Sequence, residues 1–313
     1  MEQMPGATKW GNMILKTFSM LSVNLFALLS GYLCMGKKWK IVKWVKLWLL
    51  VIFYSIAIAL TCKVIDGHPF PLKATCLNCI PVCGGYWYFS AYSALFFLMP
   101  FINKAINGLE QRQWIYLITA LLLCFSVKDC LPYALFRIYT TDDGHTALWL
   151  GILYVIGAYF RTYPPAWRKR YLSTLFIFIM ILWNVTGEKI TLFSGTFPNP
   201  FICLLSILFF LILLRVNVRS QLCCRVLKWM SPMAFSVYLI HVGLCRYMDT
   251  YLPEVFQHFD YACWLGISVS VLIYLGCTVI DYLRLCLFRL LKTDRLCDKV
   301  VSELPSVFRK EVW

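Results

Sequence analysis

The residues best suited to chemistry sit where polarity is expensive. His241 lies in the apolar stretch MAFSVYLIHVGLCRYM (233–248), with Ser236 and Tyr238 close by. An imidazole of ordinary pKa, about 6.5, can take a proton from a hydroxyl at neutral pH, which makes His241 a candidate general base. The plainer reading is a histidine hydrogen-bonded to a neighbouring helix, and the residues alone leave both open. A second group is Ser30-Gly31-Tyr32 in NLFALLSGYLCM (24–35), with Asn24 on the same stretch. Small residues there permit close helix packing, and Asn24 needs a polar partner or a water-lined cavity. Trp87, Tyr88, Tyr92 and Trp10 look like an interfacial aromatic belt. Cys76, Cys79 and Cys83 in CLNCIPVC form the one local cysteine cluster. A metal site would need a fourth ligand, and His68 falls outside any standard spacing. A disulfide in an outward-facing loop and unpaired thiols are the other readings. No metal is expected.

The elements that must hold these residues follow from composition. Of 313 residues, 60% are hydrophobic and 14% are charged, against about 25% charged in an ordinary soluble domain. One soluble core cannot use that much apolar surface. A bilayer can, and at about 20 residues per crossing the apolar content supplies roughly nine helices. The expected fold is all-α, a polytopic transmembrane bundle. Apolar runs bounded by Pro, Gly and charge fall near 17–35, 44–62, 86–103, 113–128, 146–160, 171–186, 200–215, 230–246 and 261–283. A transmembrane domain over 1–291 and a basic cytoplasmic tail over 292–313 are expected.

Charge orients the bundle. Roughly three-quarters of the 30 Lys and Arg fall in alternate loops, beginning with Lys37, Lys38, Lys40, Lys43 and Lys46 and ending in the tail. That bias places those loops and the C-terminus in the cytoplasm. The net charge of +15 then reflects topology and contact with anionic lipid headgroups, not nucleic-acid binding. Asp66, Asp129, Asp142, Asp143, Glu188, Asp249, Glu254 and Asp260 fall in or beside the outer loops, the longest of which are 63–85 and 129–145. An acidic outer face suits sugar hydroxyls and ordinary solvation equally. Apart from Lys16 and Arg246 at span edges, no charged residue is expected to recur through the spans, which argues against an ion-driven pump. With nine spans the N-terminus falls outside, yet residues 1–16 carry no leader pattern, so a preceding helix is expected.

Four segments, in order, carry a resemblance. VNLFALLSGYL (23–33) followed by KKWKIVKWVKLW (37–48), GGYWYFSAYSALFFLMPFI (84–102), FPNPFICLLSILFFLILL (197–214) and SPMAFSVYLIHVGL (231–244) together resemble the membrane-bound acyltransferase 3 family. The polysaccharide-modifying branch is the nearest in kind. The resemblance implies an integral membrane O-acyltransferase of the bacterial inner membrane. Such an enzyme moves an acyl group, commonly acetyl, from acyl-CoA as co-substrate to a hydroxyl of a cell-surface glycan or its lipid-linked precursor, with no resident cofactor. By motif, Ser30, Tyr32, Trp87, Tyr92, Ser236 and Tyr238 would contact substrate and His241 would be the catalytic candidate. Lys37, Lys38, Lys40 and Lys43 would meet the CoA phosphates, without the bidentate geometry of Arg. The family has ten helices, and its first carries a basic residue followed eleven positions later by a His. Here His68, His145, His241 and His258 are preceded at that distance by Ala57, Ala134, Met230 and Tyr247. Weak or absent transfer is therefore expected. A catalytically dead glycan-binding protein and a glycan transporter or flippase are the alternatives.

Overall fold

The structure, a computed structural model, describes residues 6–67, 70–83, 85–127, 141–186, 196–251 and 263–305. Most of the loop 129–145, the residues His68, Asp129, Glu188, Glu254, Asp260 and His258, and the tail end 306–313 lie outside the described residues. Twelve α-helices hold most of the described residues. In chain order they are α1 (Gly6–Cys34), α2 (Ile41–Asp66), α3 (Leu72–Cys79), α4 (Trp87–Ile106), α5 (Gln111–Phe125), α6 (Ala147–Thr162), α7 (Lys169–Thr186), α8 (Pro200–Leu214), α9 (Gln221–Met230), α10 (Ala234–Tyr251), α11 (Cys263–Leu290) and α12 (Thr293–Glu303). Each of the nine apolar runs coincides with one helix. Among the described residues four helical stretches are long and apolar enough to cross a bilayer: Trp10–Cys34, Ile41–Ile65, Trp87–Ile106 and Trp264–Leu290. The helices Ala147–Thr162 and Pro200–Leu214 are apolar but shorter. Short α3 and α12 lie outside the nine runs, as does α9 except for its last residue, Met230.

Local chemistry sets the ends. Helix α2 stops at Gly67, whose φ of 67° is the left-handed conformation that ends a helix without a Cβ clash. A capping box between Glu110 and Gln113 starts α5. Asn199 caps α8 by accepting from the Phe201 N–H, with Pro200 in the first turn, where a missing N–H costs nothing. Pro100 inside α4 donates no hydrogen bond to the Phe96 carbonyl four residues back. The Trp39 indole N–H takes that place, donating to Phe96 O at 2.9 Å.

The chain forms two compact units. One contains residues 40–90 and 218–312, hence α2, α3, the first turn of α4, and α9 to α12. Its core is Leu50, Val51, Tyr54, Phe89, Leu239, Ile240 and Cys277. The other contains residues 10–39 and 91–217. Its central element is α6, where Trp149, Leu150, Leu153, Tyr154 and Ala158 have no exposed surface; a helix apolar all round is one surrounded by others. Helices α7 and α8 stack through Phe176 and Phe209, with ring centroids 5.5 Å apart. Outward, the bundle presents large apolar side chains such as Leu98, Phe101, Ile177, Phe178, Leu272 and Leu283, which suits lipid as solvent.

Candidate functional site

In the second unit, α1 and α6 cross at glycine. A Cβ on Gly31 would stand 1.9 Å from Tyr154 O, and one on Gly157 would stand 2.0 Å from Leu28 O. The two backbones therefore touch directly, the close approach that small residues exist to allow. One face of the seam is polar and buried. Asn24 is fully buried; its amide donates to Phe197 O at 3.0 Å and to Ser206 Oγ at 3.1 Å, and it accepts from Trp149 Nε1 at 3.0 Å. The polar partner that Asn24 requires is thus three groups on three segments.

Toward the C-terminal end of α1, Ser30 and Tyr92 come together. The Cys34 thiol and the Tyr154 hydroxyl lie alongside. Ser30 donates to Phe26 O at 2.8 Å, and Tyr154 donates to Asn103 Oδ1 at 2.9 Å. Tyr32 is spent differently: the Arg161 guanidinium lies over its ring at 5.4 Å and Phe210 packs edge-on at 5.8 Å.

The first unit holds the other motif residues. Tyr238 and His241, three apart on α10, share a face, while Ser236 points the other way. The Tyr238 oxygen accepts from the backbone N–H of Tyr88 at 3.2 Å, which leaves its own O–H to donate. Rings of Tyr86 and Tyr88 meet Tyr238 edge-on at 6.2 and 5.9 Å, and Trp87 meets Tyr88 at 5.5 Å. Ser236 is wholly buried, and its hydroxyl finds no hydrogen-bond partner among the described residues. Among the described residues His241 is hydrogen-bonded only within its own helix. Its Nδ1 sits 2.8 Å from Tyr238 O and 3.1 Å from Val237 O, on its own helix. A carbonyl only accepts, so Nδ1 carries the proton and Nε2 keeps the lone pair a base needs.

Of the basic run, Lys37, Lys38, Lys40, Lys43 and Lys46 are all exposed. Lys37 and Lys38 belong to the second unit, Lys40 and Lys43 to the first. Lys46 pairs with Asp294 of α12 at 2.5 Å. Cys76, Cys79 and Cys83 are free thiols. Burial holds the Cys79 thiol above its ordinary pKa, against the opposing effect of Ser55. Among the described residues no three His, Cys, Asp or Glu side chains gather as metal ligands.

One element corrects the expectation that charge stays at span edges. Asp281 has no exposed surface and lies inside α11. Tyr54 donates to its Oδ1 at 2.6 Å, Arg284 Nε to Oδ1 at 2.9 Å, and Arg284 Nη2 to Oδ2 at 2.8 Å. Arg284 further lies over the Phe288 ring at 4.8 Å. The signal in the sequence is an acid and an Arg three apart on one face of the last span, DYLR. It is hidden when Arg284 is counted as loop charge alone.

The family model of the acyltransferase domain of acyltransferase 3 proteins matches residues 3–282. Neither a curated protein nor a solved structure is found to match the chain. The match runs through both units and through all four motif segments, so this all-helical membrane protein belongs to the acyltransferase 3 family.

Proposed function

We propose that the chain is an O-acyltransferase that moves an acyl group, of acetyl size, from acyl-CoA to a hydroxyl of a cell-surface glycan or its lipid-linked precursor. The observation that carries this reading is the family match over 3–282. The geometry of α10 supports it. His241 presents Nε2 as the base that would deprotonate the acceptor hydroxyl, and Tyr238 has an O–H to donate to the oxyanion that develops on the thioester carbonyl. The attacking oxygen then forms the ester, and CoA leaves as the thiol. Trp87 and Ser236 in the first unit, and separately Ser30, Tyr32 and Tyr92 in the second, are the further candidates for acceptor or acyl-chain recognition. The exposed Lys37, Lys38, Lys40 and Lys43 attract the CoA phosphates from the cytoplasmic side of a bacterial inner membrane.

The test is transfer of label from acetyl-CoA to glycan lipid in membranes carrying the chain, beside His241→Gln and Tyr238→Phe. General-base loss lowers turnover by about 10²–10⁴-fold, with the KM for acetyl-CoA unchanged. Label transferred at wild-type rate by His241→Gln removes His241 from the mechanism. Because no His here follows a basic residue at eleven positions, transfer by the parent chain is expected to be weak; none at all with several acyl donors turns the reading toward a protein that holds or moves a glycan without modifying it.

A further inference from the structure

Helix α9 lies outside the nine apolar runs except for its last residue, Met230, and of its ten residues, QLCCRVLKWM, none is buried. At about 100° per residue, Leu222, Val226, Trp229, Met230, Cys223 and Leu227 fall on one side. Arg225, Lys228, Gln221 and Cys224 fall on the other. The apolar side is open: Leu222 is 67% exposed and Leu227 is 55% exposed. Ser220 caps the helix by accepting from the Cys223 N–H at 3.3 Å, so the two-sided geometry is built from its first turn. Between Glu188 and Asp249 the sequence contains no acid, while Arg215, Arg219, Arg225 and Lys228 cluster on and just ahead of α9.

The depth of α9 is also fixed. Trp229 packs against Tyr282 of α11, ring centroids 5.8 Å apart. Tyr282 lies in the last third of the span Trp264–Leu290, on the side where the helix ends at Arg289 and the basic Lys292 and Arg295 follow. That holds α9 toward the end of the span that meets the headgroups. We propose that α9 is an interfacial helix whose occupant is the anionic lipid surface: Leu222, Val226 and Trp229 sink into the acyl boundary, and Arg219, Arg225 and Lys228 hold lipid phosphates. The inference is independent of the acyl-transfer reading.

The experiment is amide hydrogen exchange on the full chain in lipid nanodiscs, made of phosphatidylcholine alone or of an equal mixture with phosphatidylglycerol. Each basic residue near an anionic surface contributes about fivefold in attraction. Arg225→Gln with Lys228→Gln therefore removes about 25-fold of the slowing that anionic lipid imposes on the amides of 221–230. In the parent chain that slowing shrinks as salt is raised. Exchange in α10 and α11 stays unchanged and reports that the fold is intact; Arg225→Lys with Lys228→Arg keeps the full effect. Equal exchange of α9 in the two lipids overturns the proposal. So does protection that follows the protein-to-lipid ratio instead of lipid charge, which would assign the face to a second copy of the chain.

Discussion

Asp281→Asn is the sharpest perturbation of the first unit. The carboxylate is wholly buried and accepts three hydrogen bonds, one from Tyr54 and two from Arg284, whose side chain is 10% exposed. Neutralising the acid leaves a nearly buried guanidinium without its counter-charge. Breaking one partner of such a pair costs about 3–5 kcal/mol. Tyr54→Phe removes a single hydrogen bond to a charged acceptor and costs about 1.5–3 kcal/mol. Replacing all three by apolar residues, Tyr54→Phe with Asp281→Leu and Arg284→Met, recovers most of the loss, because no charge is then left stranded. Cys277, on α11 one turn before Asp281, is fully buried and reports opening through its rate of alkylation. Cys203, buried in the second unit, is the control. At about 1.4 kcal/mol per decade, Asp281→Asn raises the Cys277 rate by about a hundred- to several-thousandfold and leaves Cys203 unaffected. A rise no larger than that of Tyr54→Phe, or an apolar triple variant as unstable as Asp281→Asn, refutes the reasoning.

Other outcomes follow from the same geometry. Gly157→Ala and Gly31→Ala each drive a Cβ into backbone and cost about 1–3 kcal/mol, read as lost thermal stability in detergent. Gly276→Ala on α11, where a Cβ meets nothing within 4 Å, is neutral or stabilising by up to about 1 kcal/mol; equal losses at the three positions would show that packing is not what decides. Asn24→Leu strands the Trp149 indole N–H and costs about 1–3 kcal/mol, visible as a change in buried-tryptophan fluorescence. The Cys79 thiol, raised by burial, keeps less thiolate than its unburied value at any pH below its folded pKa. Its alkylation therefore lags that of exposed Cys76 and Cys83 and catches up as pH rises; mass mapping of the modified peptides checks the order.

The nine apolar runs were legible because lipid-facing and buried helices alike are apolar, so length and flanking charge suffice to mark them. Amphipathic α9 and α12 were not, since half their residues are polar and no apolar run stands out. Gly31 announced a close crossing, but its partner Gly157 lies on α6 and only the fold brings the two together. The same holds for Ser30 and Tyr92, which come together although they stand 62 positions apart in the sequence. Asp281 escaped notice for a different reason. A carboxylate three residues from an arginine at a span end reads as interfacial charge, and only Tyr54 from α2, together with complete burial, reveals that the pair is internal.

The α1–α6 crossing constrains motion as well as packing. With carbonyl and Cα in contact at Gly31 and again at Gly157, the two helices have no clearance along their axes. Sliding α1 by one turn, about 5.4 Å, would carry the Cβ of Ala27 or Met35 toward the place where Gly31 meets Tyr154 O. α1 therefore cannot work as a piston against α6. Any displacement of Ser30 or Tyr32 along the α1 axis must carry α6 along, and Arg161, which lies over Tyr32 from α6, travels with them.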